Sequence, residues 1–157
     1  MKTFIRNTLF GFAALSLVTM SAGISFADTN TLTVSGNVVG VCKFNSATST
    51  LAFGALDPSS GAAASVAGST TFWCTKGVSF TLGDDGGLYN SGGPRMRHAT
   101  TTTEFIPYSL GMTPTAATGS GPATPITLNL SGNITFADYS NAEAGNYSDT
   151  VIITITP

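Results

Sequence analysis

His98 is the only histidine among 157 residues, so any Ser–His or Cys–His arrangement for nucleophilic catalysis would have to be built on it. No Gly-x-Ser-x-Gly elbow accompanies it. Cys42 and Cys74 are the only thiols, and two cysteines with one distant histidine lack the ligand spacing of a metal site. Asp84-Asp85, set between glycines, invites a calcium reading, yet the further acidic positions of a calcium-binding loop are missing. A solvent-exposed turn is the plainer explanation. The neighbouring glycines do not follow the dinucleotide fingerprint, and two carboxylates would repel a phosphate. Arg95 and Arg97 fall on one face of a short strand, with Met96 and His98 on the other. A solvated strand with Met96 turned inward explains this better than an anion or sugar contact. Trp73 alternates away from Phe72 and Cys74, toward an outer face or an edge, where a carbohydrate platform is the less favoured alternative. These residues do not assemble an enzyme, and no cofactor or metal is expected.

The N-terminus carries Lys2 and Arg6, then an apolar stretch over 8–18, then small residues up to Ala27. That order predicts a secretory signal peptide over 1–27, too short and interrupted for a spanning helix. Removing it leaves four basic against eight acidic side chains, a net charge of −4. A nucleic-acid surface, which needs clustered Lys and Arg, is not expected. Thr, Ser, Asn and Gly carry most of the polarity, as in an extracellular β-protein rich in turns. An exported chain with two cysteines is expected to join them, and closing that loop contributes roughly 3–4 kcal/mol in the chain-entropy treatment. Asn133-Ile-Thr and Asn146-Tyr-Ser match the glycosylation sequon, a short pattern read here as turn chemistry.

These positions must be held by strands, because short apolar runs between Gly, Pro, Asn, Asp and Ser dominate and no helical period persists. Strands are predicted over 31–41, 49–53, 69–74, 78–82, 95–98, 105–110, 126–130, 133–136 and 147–156. So many short strands point to an all-β sandwich in preference to a closed barrel. Long small-residue loops are expected over 57–68, around 83–94 and over 112–125. The closing strand is the most informative. Tyr147, Val151, Ile153 and Ile155 share one face, and Thr150, Thr154 and Thr156 the other, with Ile152 the exception. An apolar edge strand of this kind invites pairing with another chain. Near the other end, Leu32, Val34, Gly36 and Val38 share a face before the phase changes at Val39. That change fits either a β-bulge or a boundary between a separate arm and the domain. A strand offered at one end and one wanted at the other suggest polymerisation by strand addition.

Several segments, in order, carry a family resemblance: Cys42; Leu51-Ala-Phe-Gly54 with Asp57-Pro58; Phe72-Trp-Cys-Thr-Lys-Gly77; Arg95-Met-Arg97; Ile106-Pro-Tyr-Ser-Leu110; and the ending from Ala144 to Thr156. Together they resemble the spore coat protein U-like family, which includes pilins of archaic chaperone–usher pili. The resemblance implies an immunoglobulin-like β-sandwich, incomplete for want of its last strand and completed by a donor strand. After the signal peptide at 1–27, it implies a donor arm at 28–38 and a pilin domain at 39–157. By position, Leu32, Val34 and Val38 would fill acceptor pockets, and Gly36 would lie where the backbone must pass closely. Tyr147, Val151, Ile153 and Ile155 would form the acceptor and chaperone-facing strand, and the Cys42–Cys74 disulfide would pin the first strand. The implied partners are other copies or related subunits in a head-to-tail polymer, a periplasmic chaperone and an outer-membrane usher. The implied place is the cell surface, reached through the periplasm, in attachment and biofilm formation. The chain departs from many relatives in lacking Trp-Gly within 112–125 and in ending on Pro157.

Two other readings compete. A self-contained secreted β-sandwich binding carbohydrate or a surface would pair its arm within its own domain. A spore or cyst coat protein would share the family without the pilus.

Overall fold

A computed structural model of the chain describes Gly23 and residues 25–157. The expected signal peptide lies almost wholly outside them. The chain divides into two units, 1–36 and 37–157. Of the first, residues 25–36 carry no helix or strand, and Leu32 and Val34 are 82 % and 84 % exposed. The strand expected over 31–41 is not formed, since period-two patterning supplies no partner backbone by itself.

The second unit is an all-β sandwich. One sheet has the order β1 (Cys42–Phe44), β2 (Ala64–Cys74), β8 (Ile126–Ile134), β6 (Ser109–Thr113). Two three-stranded sheets complete it: β10 (Ile153–Thr156), β3 (Ser79–Asp84), β7 (Ala116–Thr118); and β5 (Phe105–Pro107), β4 (Arg95–His98), β9 (Tyr147–Ser148). All pairings are antiparallel. Alternation sorts β8 cleanly, with Leu128, Leu130, Gly132 and Ile134 buried and Thr127, Asn129, Ser131 and Asn133 outward. A sheet buried on one face reads this way.

The core has two clusters. In one, Phe72, Cys74, Leu128 and Leu130 meet Phe80, Leu82, Ile153 and Ile155. In the other, Ile106, Ile134 and Tyr139 gather Met96, Tyr108, Tyr147, Phe53 and Leu56. Each fully buried Phe, Leu or Ile contributes about 1.5–3 kcal/mol. Cys42 and Cys74, directly opposite in the β1–β2 ladder, are disulfide-bonded. Just outside the bond, Thr75 doubles the attachment: its N–H donates to Val41 O, and its hydroxyl accepts from Val41 N–H.

Several boundaries differ from expectation. The runs predicted at 126–130 and 133–136 are one strand, β8, followed by the short helix α1 (Phe136–Tyr139). Asp138 opens that helix by accepting from the Thr135 N–H and hydroxyl. Residues 64–68, expected as loop, extend β2, and β7 lies within another expected loop. The closing strand is interrupted. β9 pairs with β4 and β10 with β3, while at 149–152 side chains and loop amides replace the ladder. Leu88 N–H donates to Thr150 O, Asp85 N–H to Ile152 O, and Ile152 N–H to the Asp85 carboxylate.

Candidate functional site

The strand ends that finish the sandwich also leave it open. β9 and β10 are each the last strand of their sheet, so among the described residues each keeps one edge unpaired. Alternation nonetheless continues through the interruption: 147, 149, 151, 153 and 155 are half-buried, and the residues between them exposed, including Ile152 at 62 %. Facing this edge are residues 49–56, which belong to no strand and, among the described residues, take part in no backbone hydrogen bond. Leu51, Phe53 and Leu56 turn inward from them.

Between these walls lies a groove of about 860 Å³, floored by Met96, Ile106, Tyr108, Leu110, Leu130 and Tyr139. That volume falls within the roughly 300–1,000 Å³ usual for ligand-binding clefts. The floor is held firmly. The Tyr139 hydroxyl donates to Ala62 O at 2.6 Å and lies 2.9 Å from Ser60 Oγ, tying α1 to the loop beneath. Gly132 lets Leu51 and Phe53 settle on β8; a Cβ there would stand 2.7 Å from Phe53 Cζ and 3.1 Å from Leu51 Cδ2.

One polar link crosses the apolar floor. The Tyr108 hydroxyl donates to Asp149 Oδ2 at 2.8 Å, and the Tyr108 ring meets Phe53 edge-on at 6.2 Å. Burial first, then the Asp149 hydrogen bond and the nearby carboxylates of Asp149, Asp84 and Asp85, push the Tyr108 hydroxyl's pKa well up. The phenol therefore stays a donor at any physiological pH. Asp149 packs against Gly87, where a side chain would collide with the carboxylate, and its Oδ1 accepts from Thr150 N–H.

Of the residues singled out by sequence, Tyr147, Val151 and Ile153 line the groove, whereas Ile155 packs into the first core cluster. Cys42 and Cys74 are bonded to each other and are not part of the groove lining. Val38, in the domain unit, is 83 % exposed, and Gly36 has open space around it. Asp149 was not among the expected residues, although its place two residues from both Tyr147 and Val151 puts it on the same face. Leu51 and Phe53 were expected as a strand; they act instead as a wall with an unpaired backbone.

The other candidates are structural. His98 is 4 % exposed. Its Nδ1 accepts from Thr101 N–H at 2.9 Å and Thr100 N–H at 3.3 Å, and its ring stands 4.9 Å from Tyr147. Two donors on Nδ1 leave the proton on Nε2, beside Ala144 O. Met96 turns inward, while Arg95 and Arg97 lie over the Phe105 and Tyr89 rings at 4.0 Å and 4.3 Å. Asp84 and Asp85 accept from Gly86 and Gly87 N–H in tight turns. Among the described residues, no cluster of His, Cys, Asp and Glu could hold a metal ion. Trp73 stands opposite Lys43 on the outer face.

The family model described as Spore Coat Protein U domain matches residues 28–154. Comparison with curated proteins returns no match. One similar solved structure is the CsuC–CsuE chaperone–tip adhesion subunit pre-assembly complex from the archaic chaperone–usher Csu pili of Acinetobacter baumannii. The likeness has a TM-score of 0.47 at 18 % identity and covers 75 % of this chain but 40 % of that one.

Proposed function

Since the chain belongs to the Spore Coat Protein U domain family, we propose that it is a structural subunit of a surface pilus, assembled through the chaperone–usher route by donor-strand exchange. The observation that carries this reading is the open groove between residues 49–56 and 147–153. Both of its walls present unpaired backbone, and its floor is apolar. Such a groove wants an extended apolar segment. The same sequence carries one at 28–38, whose Leu32, Val34 and Val38 are all more than four-fifths exposed. Burying these three side chains in a neighbour contributes roughly 5–8 kcal/mol before ordering costs. Each main-chain hydrogen bond adds about 1 kcal/mol net.

On this reading a periplasmic chaperone fills the groove first, and the arm of the next subunit replaces it at an outer-membrane usher. A head-to-tail contact that does not close builds an open filament, suited to surface attachment and biofilm formation. The subunit has no catalytic role.

The test is deletion of residues 28–38 in the exported chain, co-expressed with a chaperone and usher. The deleted subunit should fold on the chaperone and give no ladder of multiples on an unheated denaturing gel, where the intact chain gives one. If the intact mature chain is instead a stable monomer that the deletion unfolds, the arm completes its own domain and the proposal is wrong.

A further inference from the structure

The groove is not uniformly apolar. The Tyr108–Asp149 hydrogen bond crosses its floor as a polar sill. The lining draws Tyr147, Met96 and Ile106 from the second core cluster and Ile153 and Leu130 from the first, with Val151 on the same half-buried face between Asp149 and Ile153. Along the acceptor edge, the inward positions therefore run apolar, carboxylate, apolar, apolar from Tyr147 to Ile153. The arm, read backward from Val38, runs Val38, Gly36, Val34, Leu32: apolar, no side chain, apolar, apolar. Each series has a single interruption, at the same place.

We infer that the Tyr108–Asp149 sill sets the register of the incoming arm, with Gly36 of one copy seated over Asp149 of the next. This inference rests on the pilus reading above. Residues directly opposite in a strand pair share a face. With Gly36 opposite Asp149 in an antiparallel pair, Val38 meets Tyr147, Val34 meets Val151 and Leu32 meets Ile153. In a parallel pair with the same glycine contact, Leu32 would fall at Gly145 and lose its apolar partner. A slip of two residues, about 7 Å along the strand, would press a Val onto the carboxylate and strip its water. Glycine leaves that carboxylate its hydration. Asp149 and Tyr108 are then specificity-determining residues of the groove, favouring arms with a glycine four residues after the leading Leu.

Cysteine pairs read the register directly. Outward neighbours are used, so that neither the sill nor the apolar contacts change. Chains carrying N37C with S148C, or S35C with T150C, should give a ladder of interchain disulfides on boiled non-reducing gels. N37C with T150C, and S35C with S148C, should give at least ten-fold less, because a displaced pair exceeds the 4.4–6.8 Å usual between bridged Cα atoms. If the displaced pairs link best, the register is wrong while the pilus reading stands. If no pair links and the unheated ladder is also absent, both fail. As a second arm, G36L should speed dissociation of the polymer at least ten-fold, and D149A should recover most of that loss. Absence of rescue overturns the role given to the sill.

Discussion

Truncating the arm's apolar side chains separates what they would do for the proposed fibre joint from what they do for the fold. Leu32, Val34 and Val38 are 82 %, 84 % and 83 % exposed, so the folded subunit has almost nothing to lose when they are shortened. Leu32→Ala removes three carbons, and Val34→Ala and Val38→Ala two each. At about 0.8 kcal/mol per buried methylene, these changes cost the joint about 2.4, 1.6 and 1.6 kcal/mol. If all of that appears in dissociation, the rate rises about 50-fold for Leu32→Ala and about 15-fold for each valine. The triple variant should fall apart about ten-thousand-fold faster. Polymers are assembled first with the intact chain and each variant, then incubated in detergent over a temperature series. The surviving ladder is measured against time. In parallel, thermal unfolding of the disulfide-bonded subunit should move by no more than surface substitutions do, within about 0.5 kcal/mol. A polymer indifferent to the triple variant would refute the reasoning. So would a subunit whose own unfolding shifts by several kcal/mol, since its arm would then be buried at home.

Cys42→Ala with Cys74→Ala should destabilise the subunit by about 3–4 kcal/mol in denaturant titration, with β1 losing amide protection first. Tyr139→Phe removes the hydroxyl that holds Ala62 O and Ser60 Oγ; the cost should be about 1–2 kcal/mol, with raised exchange in residues 57–62. Asp85 is held below its ordinary 3.8, chiefly by Gly87 N–H and then by Ile152 N–H. A lowered folded pKa gives stability that is complete above the unfolded value and disappears as pH falls through the folded one. Ile152 amide exchange, normalised for intrinsic rate, should therefore accelerate only below about pH 4, and Asp85→Asn should show the acid behaviour at neutral pH.

Elements with strong apolar alternation were legible in the sequence. β4 has the bounds predicted for it, 95–98, and the half-buried face of 147–155 follows the expected period. Where small residues stand in for large ones, the pattern misleads. Ser131-Gly132 reads as a break, yet it lies inside β8, because Leu51 and Phe53 pack where a side chain would be. Ala64–Gly68 looks like loop but pairs with residues 130–134. The helix α1 is a single turn and has no period to detect. The interruption at 149–152 was hidden for another reason: an Asp85 side chain takes the place of a ladder carbonyl, a contact across 67 residues that no local window registers. Asp149 escapes an apolar pattern because it is polar, although its spacing puts it on the groove-facing side.

The cystine lies at the root of β1, with the Thr75 hydrogen bonds immediately before it. In a filament built by the proposed strand exchange and pulled along its length, tension arriving through the arm would meet this cross-link at Cys42, β1's first residue. Peeling β1 from β2 would have to break a covalent bond, whereas sliding a neighbour's strand out of its slot breaks none. Overload should therefore part the fibre between subunits and leave each globule intact, so that a snapped thread yields undamaged beads.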